Sequence, residues 1–141
     1  MKILRFITTI VLAHLIVAVA HGAAHQSLAI NPPRGADVVF ILLAVYLLPL
    51  VAIWRLRAAG SSAAAILLLV SMGGALIYGI VFHYGLPTPD HVSQVPHTPS
   101  GALFRVTAGL LAPLEAIGAA LGLMAWRAAR TVTFTGAASV P

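Results

Sequence analysis

The sequence contains no cysteine and only three acidic residues among its 141 positions. The missing cysteine excludes disulfides, thiolate metal sites, thiol-based catalysis, covalent attachment of c-type haem and a lipoprotein anchor. Charged residues of both signs make up only 8% of the chain, against about 25% in an average soluble domain. These charged residues are too few to cover the water-exposed surface of a soluble protein of this size. We therefore expect the lipid bilayer to surround the chain.

The basic residues outnumber the acidic ones and give a formal net charge of +5. They are scattered around the ends of apolar segments and form no basic run or patch, so we expect no nucleic-acid partner. The sequence also has no P-loop, no GxSxG, no HExxH and no dinucleotide fingerprint. No enzyme class is therefore favoured by a motif.

Four apolar segments are each long enough for a transmembrane helix, which needs about 20 residues. They predict helices at about 3–25, 37–56, 62–84 and 101–127. The connections between them are short, which predicts an all-α integral membrane protein folded as an antiparallel up-down four-helix bundle. Residues 1–130 then form a single domain, and the short, polar residues 131–141 are expected to form a disordered cytoplasmic tail.

The distribution of Lys and Arg predicts how the bundle is oriented, because cytoplasmic loops carry more of them. One side of the predicted bundle carries six of these residues: Lys2, Arg5, Arg55, Arg57, Arg127 and Arg130. The other side has only Arg34 and Arg105. We therefore expect both termini in the cytoplasm and two proline-rich loops outside, in the inner (plasma) membrane of a bacterium.

The first apolar segment allows a second interpretation, a cleaved signal peptide. It has a basic start, an apolar stretch and the small-residue pattern Ala18-Val19-Ala20. Cleavage there would make His21 the new N-terminus, where a free α-amine beside an imidazole is a strong copper chelate. The polar His14 inside the apolar stretch favours an uncleaved helix instead.

Histidines concentrate at the predicted outer end of the bundle. His21 and His25 are four residues apart and share one helix face. Imidazole combined with carboxylate suits zinc, copper or iron, so the sequence predicts a transition-metal site for sensing, delivery or structure. The candidate ligands are His21, His25, His83, His91, His97 and Asp90. The alternative is that these histidines only hydrogen-bond loop carbonyls and anchor the long loop to the first helix.

Two ionisable residues are predicted near the middle of the bilayer. Glu115, the only glutamate, lies roughly 16 Å from the outer end of its helix at 1.5 Å per residue, and His14 lies at a similar depth. An ionisable group at this depth is costly and typically functional. We expect these two side chains to face each other, as a proton relay, as a ligand-binding polar pair or as a clamp between helices.

Small residues four positions apart predict close helix packing. They are Gly118 and Gly122 in the fourth segment and Ser71, Ala75 and Gly79 in the third. These faces support a second functional hypothesis, in which the chain is a non-catalytic accessory or assembly subunit. It would then dock on a larger membrane complex or on further copies of itself, and its histidines would serve only its own fold.

A redox protein is the third functional hypothesis. A haem in a membrane bundle is usually held by two axial imidazoles that face each other across it. His21 or His25 together with His83 is the pair that would bracket a haem near the outer face. Copper bound at a newly exposed His21 would be the other redox option.

Overall fold

The computed structural model describes residues 2–30 and 35–137, the last six of these as backbone only. Within these residues the protein is all-helical, which confirms the all-α part of the predicted class. The four helices are α1 (Lys2–Leu28), α2 (Ala36–Ala59), α3 (Ser62–Gly85) and α4 (Pro99–Ala137). Each contains a stretch long and apolar enough to cross a membrane, so the predicted number of such helices is confirmed as well.

The fourth helix is longer than its hydrophobic pattern predicts. It begins at Pro99 and runs to Ala137, well past the predicted end at 127. Residues 131–137, predicted to belong to a disordered tail, are helical in the structure. Residues 138–141 and the loop residues 31–34 lie outside the described part of the chain.

A tight turn between α2 and α3 keeps these two helices side by side. Gly60 ends α2 in the left-handed region with φ of 56°, and its N–H donates to the Leu56 carbonyl at 3.1 Å. Ser61 then caps α3, because its hydroxyl oxygen accepts a hydrogen bond from the Ala64 N–H at 3.3 Å.

Two helices contain π-helical turns, which the hydrophobic pattern does not predict. In α2 the π-helical residues are Ile41–Leu47. They end two positions before Pro49, whose ring disfavours a regular α-helical turn on its N-terminal side. In α3 the π-helical residues are Val81–Gly85, and the turn closes with a 2.8 Å hydrogen bond from the Leu86 N–H to the Val81 carbonyl. Such turns are rare and often occur at functional sites; the second one carries His83.

Close packing of α3 against α4 depends on two glycines of α4. A Cβ built at Gly122 would lie 2.6 Å from the backbone nitrogen of Leu69, and one at Gly118 would lie 2.5 Å from the end of the Met72 side chain. The small-residue face of α4 is therefore covered by α3 of the same chain. On α3, Ser71 is also buried, with 1% of its surface exposed. The face that the accessory-subunit hypothesis assigned to a partner is not free.

We expect Gly122→Ala to destabilise the protein more than Gly118→Ala. The new methyl group at position 122 meets backbone, which moves only with the helix, whereas at 118 it meets a flexible side chain. Overpacking of this kind costs about 1–3 kcal/mol. The measurement is the thermal unfolding midpoint of each purified variant in detergent.

Gly73→Ala is the matched control, because its Cβ would meet only the Ala119 methyl group at 3.9 Å. It is expected to leave the unfolding midpoint unchanged or to raise it slightly through helix propensity. Equal losses at positions 73 and 122 would show that α3 and α4 do not approach as closely as described.

Candidate metal centre

Three histidines from two helices meet in one cluster, which we call the histidine cluster: His21 and His25 on α1 and His83 on the π-helical turn of α3. One ring nitrogen of each lies within 4.8 Å of the others. Phe104 of α4 is fully buried and packs against all three rings at centroid distances of 4.7, 4.8 and 5.2 Å. The cluster is therefore closed by an aromatic ring on the α4 side.

His21 has one ring nitrogen directed to an oxygen and the other to His83. Its Nδ1 lies 2.9 Å from Thr107 Oγ1, and that hydroxyl donates its single proton to the Leu103 carbonyl at 2.7 Å. With the hydroxyl proton on that carbonyl, the threonine oxygen accepts from the imidazole and Nδ1 carries the proton. In the neutral ring Nε2 is therefore left with a lone pair, and it lies 3.2 Å from Nε2 of His83.

The same reasoning applies to His83. Its Nδ1 lies 3.1 Å from the backbone carbonyl oxygen of Asp90, and a carbonyl only accepts, so this nitrogen carries the proton. The Nε2 lone pairs of His21 and His83 thus face each other. They repel unless a cation lies between them. Two nitrogens on a tetrahedral zinc ion with bonds of about 2.0–2.1 Å are about 3.3–3.4 Å apart, which is close to the spacing of this pair.

One other arrangement of protons satisfies the same distances. If the Thr107 hydroxyl turns to donate to His21 Nδ1, then His21 Nε2–H donates to His83 and no cation is required. The cost is the hydrogen bond from Thr107 to a helix carbonyl. The two arrangements differ in whether Thr107 serves as an acceptor for the ring, which a substitution at this residue tests.

His25 and Asp90 leave unsatisfied polar atoms beside this pair. His25 Nδ1 and Asp90 Oδ1 are 3.8 Å apart, and each is buried without a hydrogen-bond partner among the described residues. Burial raises the pKa of the Asp90 carboxyl above its usual range, and the nearby His83 opposes this. Buried polar atoms are ordinarily satisfied, so this corner of the cluster is suited to a proton or metal ion.

The other two predicted ligands, His91 and His97, are not part of the histidine cluster. His91 Nε2–H donates to the Tyr84 carbonyl at 3.1 Å, and its Nδ1 accepts from the Ser93 N–H at 3.2 Å. His97 is exposed. Of the proposed ligand set, the structure therefore brings together His21, His25 and His83 with Asp90 beside them, and His91 instead holds the loop.

Sequence reasoning missed Thr107 and Phe104, which orient and enclose the cluster. Both lie on the face of α4 that also carries Glu115, since positions 104, 107, 111 and 115 follow the helical repeat. That spacing is the only signal in the sequence that points to them. A threonine or a phenylalanine inside an apolar helix carries no specific functional pattern.

His14 and Glu115 contact each other below the cluster. The distance from His14 Nε2 to Glu115 Oε1 is 3.2 Å, and the two residues are 0% and 4% exposed. His14 lies seven positions before His21, and Glu115 lies eight positions after Thr107. The two polar pairs therefore join the same face of α1 to the same face of α4, two helical turns apart.

The histidine cluster opens onto a cavity of about 750 Å³. All four helices contribute to its walls, and Glu115 lies on it together with the three histidines. The cluster thus has protein ligands on one side and open space on the other. A metal ion held there would keep a coordination position accessible from the cavity.

Comparison with known proteins finds no relative from which a function could be inferred. No protein-family model matches the chain, and neither a curated protein nor a solved structure matches it. We therefore infer function from the geometry of the site.

We expect the buried pair to be energetically coupled, so that His14→Ala and Glu115→Gln destabilise non-additively. Either single substitution leaves a buried polar partner unsatisfied, and the second then costs less. The coupling free energy is expected to be about 0.5–3 kcal/mol, from unfolding of the four proteins of the double-mutant cycle in detergent. Additive losses would mean that the two side chains do not interact.

Proposed function

We propose that the chain spans the membrane four times, as an antiparallel bundle with both termini in the cytoplasm. Contacts between α1 and its neighbours support the antiparallel arrangement. The pairs His14–Glu115 and His21–Thr107 connect α1 to α4 in opposite chain directions. The Arg57–Thr8 and Tyr46–Ala18 hydrogen bonds do the same for α1 and α2.

The outer surface of the helices supports insertion in lipid. Large apolar side chains are exposed on every helix, where a soluble protein would carry charge. Examples that are at least 60% exposed are Ile16, Val19, Trp54, Val70, Ile77 and Val106. The first half of α1 also belongs to the core, since Ile7 and Val11 are 2% and 0% exposed. This packing favours an uncleaved α1.

Cysteine labelling tests the orientation, because the natural chain has no cysteine. We expect Gln94→Cys, in the long loop, to react with a membrane-impermeant maleimide in intact cells. We expect Ser62→Cys, beside the α2–α3 turn, to react only after permeabilisation. Both residues are exposed. The reverse pattern would invert the proposed orientation, and labelling of both in intact cells would contradict the proposed membrane crossing.

We further propose that His21, His25 and His83 bind one transition-metal ion near the outer end of the bundle. The observation that carries this proposal is the 3.2 Å approach of the His21 and His83 Nε2 atoms. The Nδ1 atom of each ring faces an oxygen atom, of the Thr107 hydroxyl and of the Asp90 carbonyl respectively. Imidazole ligands held by such outer hydrogen bonds are characteristic of metal sites. Neutral imidazoles without thiolates suit zinc, copper or iron.

A site with three protein ligands and one open side favours reversible binding of the metal ion. A closed structural zinc site has four protein ligands, whereas a site with three keeps a position for water or another ligand. The cavity beside the histidine cluster provides the space for that position. This geometry supports sensing or delivery of the ion more than a purely structural role.

The two other functional hypotheses have less support. The ring centroids of His21 and His83 are 4.9 Å apart, and Phe104 packs against both, which leaves no layer for a porphyrin between these imidazoles. The accessory-subunit hypothesis relied on the small-residue faces, and the one at Gly118 and Gly122 is covered by α3.

Metal binding to the purified protein tests this function. Protein without a polyhistidine tag is dialysed against Zn²⁺, or against Cu⁺ under reducing conditions, and bound metal is measured by elemental analysis. We expect about one ion per chain, lost in His21→Ala and in His83→Ala. Binding should also weaken as the pH falls, because protons compete for the same lone pairs.

The matched controls are His91→Ala and His97→Ala, which remove imidazoles outside the histidine cluster and should keep the bound ion. Thr107→Val removes the acceptor of the His21 ring proton at nearly constant volume and should weaken metal binding about 10–100-fold, with recovery in Thr107→Ser. No bound metal in the natural chain, or equal loss in the His97 variant, would contradict the proposal.

A further inference from the structure

The cavity beside the histidine cluster is much larger than a metal ion requires. Its volume is about 750 Å³, whereas a water molecule in the shell of an ion occupies about 30 Å³. Cavities that bind small organic molecules measure about 300–1,000 Å³. The space therefore fits an organic ligand, and the charge on its walls indicates which kind.

The cavity walls gather all the acidic residues of the chain. Asp37, Asp90 and Glu115 line it, and they are the only Asp and Glu residues in the sequence. No Lys or Arg among the described residues lines it. With no Lys or Arg on the described walls, the cavity carries no permanently positive side chain, and in a site partly screened from water its carboxylates disfavour an anionic ligand and attract a cation.

Glu115 has one carboxylate oxygen available to a ligand. Its Oε1 faces His14, while Oε2 lies toward Gly79, where a Cβ would be 3.8 Å from Oε2. Because position 79 has no side chain, nothing at that residue covers the oxygen. The floor of the cavity thus presents a carboxylate oxygen that no described hydrogen bond uses.

Aromatic side chains and aliphatic groups form the rest of the wall. Tyr46, Tyr78 and Phe82 line the cavity, and Tyr78 and Phe82 lie 4.5 Å apart between ring centroids. Aromatic rings provide a large contact area for the apolar body of an organic ligand. The apolar remainder would cover a hydrophobic ligand body.

We propose that this cavity binds a lipophilic organic monocation, such as a quaternary ammonium or phosphonium compound. Glu115 faces the positive charge, and the aromatic wall at Tyr78 and Phe82 covers the apolar body. This organic-cation site is additional to the proposed metal site, and its existence does not depend on metal binding. A metal ion at the histidine cluster would add positive charge to the same cavity, so each cation should weaken binding of the other.

The test uses methyltriphenylphosphonium as the probe, in equilibrium dialysis against the metal-free full chain in detergent. We expect saturable binding of one probe molecule per chain. Triphenylphosphine oxide, which is similar in shape but uncharged, should bind at least about tenfold more weakly. Added Zn²⁺ should reduce the affinity for the phosphonium.

Three variants locate the charge that recognises the probe. Glu115→Gln should weaken phosphonium binding at least about tenfold, and Asp37→Asn, an exposed residue at the cavity wall, should weaken it less. Trp54→Leu removes an aromatic ring that is 64% exposed on the outside of the bundle and should leave the affinity unchanged. Helical circular dichroism and the elution volume in size-exclusion chromatography check that each variant is folded.

If Glu115→Gln does not fold, Gly79→Leu is the second variant. A leucine there would extend toward Glu115 Oε2 and fill the cavity floor, so probe binding should be lost. Absence of saturable binding, equal affinity for the neutral analogue, or unchanged affinity in Glu115→Gln would each overturn the proposal. None of these results bears on whether the histidine cluster binds zinc.

Discussion

The polar contacts between α1 and α4 determine the arrangement on which the histidine cluster and the cavity depend. In the proposed membrane setting, apolar helix faces select a partner register only weakly, because the acyl chains of the lipid are as apolar as the side chains. A buried ion pair or hydrogen bond is satisfied in far fewer relative positions of the two helices. The contact of His14 with Glu115 therefore specifies one register, and two turns further the same register brings His21 against Thr107.

His83, the third member of the histidine cluster, is positioned by different contacts. His83 reaches His21 because α3 lies close to α4, where Gly118 and Gly122 leave room for its backbone and for Met72. The π-helical turn at Val81–Gly85 then shifts the direction of the last side chains of α3. Packing by small residues and a local change of helix type together complete a site that neither helix pair forms alone.

Local rules account for what the sequence could predict. The helix number follows from apolar length, the shared face of His21 and His25 from the 3.6-residue repeat, and the common depth of His14 and Glu115 from the rise per residue. The choice of His83 over His91 depends on a π-helical turn and on the path of a long loop, which no local pattern encodes. Thr107 acts through its position against α1, so its role appears only in three dimensions.

The distribution of charge explains why cations are the expected ligands. In the proposed membrane setting, Lys and Arg belong at the helix ends, while a carboxylate at depth is tolerable only where it faces a polar interior. The cavity beside the histidine cluster is such an interior, and the three acidic residues of the chain all border it. Where such a carboxylate is ionised, its attraction for a cation is stronger in a low dielectric than in water. A metal ion at the histidines and an organic cation at Glu115 would be attracted by that same charge. The cavity is therefore expected to bind each cation more tightly when the other is absent.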